Sequence, residues 1–153
     1  MSLVAVLLLL STPSTMAAAT WAPLGAGLDG LRVRYLHVWE GKLIVAGDFS
    51  VAGSIPANNV AMWDGVNWSP MGGGLVYPRG FVTHNGDLLA YAVRDSLGER
   101  KIFRWTGIGW AAEVPDDGWT DNDDSIVSYN GDLLLSGAWN NTYFDDMRCW
   151  VNR

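Results

Sequence analysis

One cysteine in 153 residues, Cys149, leaves the chain without an internal disulfide. Two histidines, His37 and His84, are too few for a metal centre built on imidazoles, and no Ser-His-Asp or Cys-His set can be drawn. Lysine and arginine total ten, are scattered, and sit in a chain of formal net charge −6. Phosphate backbones are bound by clustered cations, so nucleic acid is excluded as a partner. No apolar run is long enough to span a bilayer, and none after Thr20 keeps helical spacing beyond one turn. Gly72-Gly73-Gly74 is followed by neither Lys-Ser/Thr nor a helical pattern, so it is no phosphate loop.

What remains is a β protein rich in turns and aromatic rings, with 18 glycines and nine tryptophans. Residues 1–19 carry a short apolar core, Val4 to Leu10, followed by Ala17-Ala18-Ala19. That is the order of a signal peptide cleaved before Thr20, and it implies a secreted or cell-envelope protein. The n-region has no Lys or Arg, and a buried strand or a misplaced start codon gives the same pattern.

From Trp21 onward the chain repeats. Gly41-Lys42-Leu43, Gly86-Asp87-Leu88 and Gly131-Asp132-Leu133 recur about 45 residues apart, and Trp21, Trp68 and Trp110 mark a similar period, as do Trp63, Trp105 and Trp150. The units run 21–67, 68–109 and 110–153. Each is expected to hold four strands: a Trp strand, a strand ending at a tight turn (Glu40-Gly41, Asn85-Gly86, Asn130-Gly131), a continuous apolar strand and a strand closing on Trp. The continuous runs Leu43–Phe49, Leu88–Val93 and Leu133–Trp139 imply burial on both faces. Asp64-Gly65 between Trp63 and Trp68 predicts a further hairpin, and Trp63, Trp105 and Trp150 are expected at equivalent, mostly buried positions. The fold class is all-β, a partial β-propeller of about three four-stranded antiparallel blades.

The stretch LIVAGDFSVAG followed by NNVAMWDGVNWSPMGGGL resembles kelch-like blades, and more closely the repeats of secreted bacterial propellers and of the fungal cortical polarity-marker family. The match is strongest over Leu43–Gly74. It departs where Ala92 stands in the place of Gly47 and Gly137, and where the Ala52-Gly53 loop has no counterpart. The resemblance implies a propeller fold, and its motifs specify structure and not chemistry. Propellers carry four to eight blades, so three units make either a fragment of a larger propeller or a chain whose ring needs additional blades or a second copy.

Candidate chemistry is sparse. Asp117, Asp121, Asp123 and Asp124 lie in an acidic loop that could hold calcium, although the spacing lacks an EF-hand's alternating ligands and its final Glu. The plainer reading is a solvated acidic loop and no cofactor. Trp39, Trp119 and Trp139 fall outside the repeating Trp positions, so they are the binding candidates, for a carbohydrate or protein ligand, with ordinary packing as the alternative. The favoured function is a non-catalytic binding scaffold. The rival is a glycan-active enzyme, either a hydrolase using two carboxylates or a kelch-like oxidase, which two histidines and one strand cysteine serve poorly.

Overall fold

The computed structural model describes residues 21–93, 100–113, 125–136 and 150–152. Every regular element among them is a strand. In chain order these are β1 (Arg32–Trp39), β2 (Lys42–Asp48), the short β3 (Val51–Ala52) and β4 (Ile55–Pro56), β5 (Val60–Trp63), β6 (Trp68–Pro70), β7 (Val76–His84), β8 (Asp87–Val93), β9 (Arg100–Trp105), β10 (Trp110–Ala112), β11 (Ser125–Tyr129), β12 (Asp132–Ser136) and β13 (Trp150–Asn152). They form antiparallel sheets ordered β1-β2-β5-β6, β7-β8-β9-β10 and β11-β12-β13, with β3-β4 as a separate small hairpin. None of these sheets closes on itself.

Local chemistry explains the strand ends. Glu40, Asn85 and Asn130 have φ of 49, 51 and 51°, each followed by a positive-φ glycine, so all three tight turns place both central residues in the left-handed region. The outer hairpins work differently. Asp64 keeps negative φ, and its Oδ1 accepts from the backbone N–H of Val66 (2.8 Å) and Asn67 (2.7 Å). Thr106 Oγ1 accepts in the same way from Gly109 N at 3.2 Å. Side-chain acceptors, not an Asp-Gly type I′ pair, shape these turns.

The sheets are offset by one strand from the sequence units. Trp68–Pro70 pairs with β5 in the first sheet, and Trp110–Ala112 pairs with β9 in the second. The Trp strands that open the second and third units therefore complete the preceding sheets.

Successive sheets stack on one another through β1, β7 and β11, each the edge strand of its own sheet. The first seam buries Ile44, Ala46, Val60, Met71, Leu75, Leu88, Ala90 and Ala92, with Tyr35, Trp39 and Phe81 packed beside them. There His37 Nε2 lies 2.9 Å from Thr83 Oγ1, and its ring stacks on Phe81. The second seam buries Val82, Leu89, Tyr91, Ile102, Ile126 and Leu133, and His84 Nδ1 lies 3.0 Å from Ser128 Oγ. The far side of the first sheet packs Val45 and Ala61 against Phe49, Ala52 and Ala57, under the β3–β4 hairpin. As the apolar runs predict, β2 and β8 are buried on both faces.

Two expectations about tryptophan change. Trp63 and Trp105 are equivalent but half-buried, each in a cross-strand pair with the next Trp: Trp63–Trp68 centroids are 5.1 Å apart and Trp105–Trp110 5.2 Å. Their rings cap outer hairpins, where solvent reaches one side. Trp150 breaks the pattern. Leu43 pairs with Trp63, whereas Leu133 pairs with Asn152 and Trp150 with Leu135, a register two residues away.

Candidate functional site

The first sheet's β1 carries a single irregularity, between Val33 and Tyr35, which leaves Arg34 bulged opposite the end of β2. The second sheet's β7 carries two, between Val76 and Pro78 and between Pro78 and Gly80. The additional bulged residue is Tyr77. It has φ of 43°, which a bulky side chain rarely adopts, and it is 65% exposed. Bulges re-aim side chains and gather beside functional sites.

Tyr77 borders an open, shallow cleft of about 550 Å³, with Asp29, Gly30, Leu31, Asp48 and Asn59 also lining it. Four segments meet there: the approach to β1, the end of β2, the loop before β5 and the start of β7. Asn59, with φ of 70°, donates its amide to the Leu75 carbonyl (3.0 Å), and Leu75 N–H donates to the Asn58 carbonyl (3.2 Å). These bonds fix the loop against the segment that leads into Tyr77. Gly30 lets the chain pass directly against the end of β2, where a Cβ would fall 2.0 Å from the Asp48 carbonyl oxygen.

Both carboxylates of the cleft are held ionised. The Asp29 carboxylate accepts from Ser50 Oγ (2.7 Å), Val51 N–H (2.8 Å) and Ser50 N–H (2.9 Å), and these bonds, the Ser50 hydroxyl first, lower its pKa. Asp48 accepts both arms of the Arg34 guanidinium, Nε at 3.0 Å and Nη2 at 2.8 Å, with Arg32 Nε 3.3 Å away. The Arg34 hydrogen bond lowers the Asp48 pKa, and the Arg34 pKa is correspondingly raised. Neither carboxyl is pushed up toward the neutral range that a glycosidase's general acid requires. The site thus offers fixed charge, hydrogen-bond acceptors and one exposed ring, which is equipment for recognition.

The residues singled out from sequence fall elsewhere. The Trp39 indole N–H donates to the Gly86 carbonyl at 3.0 Å, and its ring packs against the first seam, so its polar edge is committed between two sheets. Trp119, Trp139, Asp117, Asp121, Asp123 and Asp124 lie outside the described residues. Among the described residues no three His, Cys, Asp or Glu side chains gather as a metal site would need, and no helix is long and apolar enough to cross a membrane. Sequence reasoning passed over Tyr77, Arg34 and Asp48. The available signal was Val76-Tyr-Pro-Arg-Gly80, one residue longer than the matching stretch of β1.

Comparison with protein-family models, with curated proteins and with solved structures finds no match.

Proposed function

We propose that the chain is a β-propeller segment, exported to the cell surface or beyond, that serves as a non-catalytic scaffold and takes a carbohydrate in the Tyr77 cleft. The propeller reading is supported by three sheets stacked in chain order, with the same strand positions meeting at each seam. The apolar core and small-residue site of residues 1–19 support export.

The observation that carries the binding reading is Tyr77 itself. A strained, exposed aromatic ring beside two ionised carboxylates and an arginine matches the two demands of a sugar: a flat apolar face to stack on, and acceptors for its hydroxyls. The lowered pKa of both Asp29 and Asp48 supports binding over hydrolysis, because neither of these two carboxyls is held protonated for a leaving group.

The test is a panel of immobilised neutral and acidic oligosaccharides, followed by calorimetry on any that bind. At least one should bind with Kd of about 1 mM or tighter, and Tyr77→Ala should weaken it about tenfold or more, the scale of a stacking contact. A panel without binders, or a Tyr77→Ala protein that binds equally well, would refute the assignment.

A further inference from the structure

The two internal seams are built from the same positions. Counting back from the glycine of each tight turn, β7 offers Phe81 and Thr83 to the first sheet, and β11 offers Ile126 and Ser128 to the second. The matching residues of β1 are Leu36 and Val38. They share a face with Val45 and Leu43 by register, point away from the second sheet, and are 65% and 67% exposed. On the other side, Trp39 of β1 and His84 of β7 reach forward into the next sheet. Their counterpart in β11 is Tyr129, 63% exposed, with Val127 also exposed beside it. Among the described residues the β1 edge of the first sheet's backward face, beside the part covered by the β3–β4 hairpin, and the β11 edge of the third sheet's forward face are thus left exposed, at the strand positions that meet at the internal seams.

A second observation points the same way. Trp21-Ala-Pro-Leu-Gly25 repeats Trp68-Ser-Pro-Met-Gly72. The Trp110 indole donates to the Met71 carbonyl at 3.1 Å, and the Trp68 indole donates to the Leu24 carbonyl at 3.1 Å. Residues 21–25 therefore stand toward the first sheet as 68–72 stand toward the second. In that second relation Trp68–Pro70 is the outer strand of the preceding sheet. Among the described residues, residues 21–23 hold the same place with no sheet to join, and Trp21 is fully exposed. The third sheet has three described strands where the others have four.

We propose that the Leu36–Val38 face of one chain docks on the Val127–Tyr129 face of a second copy, and that residues 21–23 add to the edge strand β13 of that copy. The contact is head-to-tail, and two copies satisfy both exposed edges when the pair closes. It is independent of the carbohydrate cleft, which lies at the first internal seam.

The experiment uses the full chain in a Cys149→Ser background, with Val38→Cys in one preparation and Tyr129→Cys in another. Mixed and oxidised, they should give a disulfide-linked dimer, and sedimentation of the unmodified chain should show a species of twice the 16.7 kDa chain mass. Val38→Asp should weaken self-association by at least about tenfold, because a carboxylate would be desolvated against an apolar face. Trp21→Ala should do the same while leaving the circular dichroism spectrum and thermal melt unchanged, since the ring is fully exposed among the described residues. A monomer at about 50 μM, above the range of a stable homodimer's Kd, would overturn the proposal. So would cross-links that form equally within each preparation alone, which would mean a face-to-face contact.

Discussion

Gly47→Ala puts one methyl group where β2 passes the bulge of β1. A Cβ there would stand 2.2 Å from the Arg32 carbonyl oxygen and 2.9 Å from Val33 Cα, both backbone atoms that no rotamer change can move. Non-bonded contacts settle at about 3.5 Å, so the strands must part by about 1 Å. Parting them disturbs the bond from Gly47 N–H to the Asn59 carbonyl (3.0 Å) and draws Asp48 away from Arg34. Overpacking of this kind costs about 1–3 kcal/mol, and a weakened buried ladder bond adds about 1 kcal/mol. Equilibrium urea unfolding, followed by tryptophan fluorescence and far-UV circular dichroism, should report a loss of about 2–4 kcal/mol at unchanged m-value. The companion variant is Ala92→Gly. Ala92 occupies the equivalent place, fully buried, opposite Pro78 between the two bulges of β7. Removing its methyl should cost about 1–2 kcal/mol, from lost burial and added chain entropy. A Gly47→Ala protein within about 0.5 kcal/mol of the parent, the usual range of surface substitutions, would refute the account of both positions.

Tyr77→Gly should stabilise the fold by up to about 1 kcal/mol in the same assay, because glycine adopts φ of 43° without strain, while abolishing oligosaccharide binding. Trp68→Phe and Trp110→Phe should each cost about 1 kcal/mol or more, through loss of the indole bonds to Leu24 and Met71 and leaner cross-strand pairs. Stability should fall on acidification in two windows. Burial lowers the His37 pKa below its ordinary 6.5, so the folded state resists protonation, and the His37 contribution, complete above that pH, drains away as pH falls below it. Asp29 and Asp48 are lowered from 3.8, so their contributions persist above that value and vanish as pH drops further. Thermal melts of His37→Gln should flatten the first window and leave the second.

The fold was legible where one residue type has one physical use. Asn85-Gly86 and Asn130-Gly131 announce left-handed pairs, and the apolar runs at Leu43 and Leu88 announce strands covered on both faces. Asp64-Gly65 marked a hairpin for the wrong reason, since Asp64 acts through its carboxylate and not through positive φ. The pairing of Trp68 with Trp63 was legible in Asp64-Gly65, whereas units counted from each opening Trp assign that strand to the next sheet. The cleft was less legible still. Tyr77 is extruded by a cross-strand register shift, and register is a property of two strands, whereas the sequence shows one at a time. Trp39 stayed open between packing and binding because its partner, the Gly86 carbonyl, is a backbone atom that sequence does not display.

The one-strand offset also bears on how the protein comes apart. The chain leaves the first sheet at Pro70, is buried at Met71 and again at Leu75, and enters the second at Val76. Peeling β6 off the first sheet therefore pulls the seam residues of the second, and withdrawing β7 drags on β6. Neither of these two sheets can leave alone. Such a linkage turns neighbouring repeats from separable beads into a stitched seam, in which proteolysis or force at one sheet loosens two. It also means that a duplicated segment of one period, inserted in any phase, would still be sewn in at both ends.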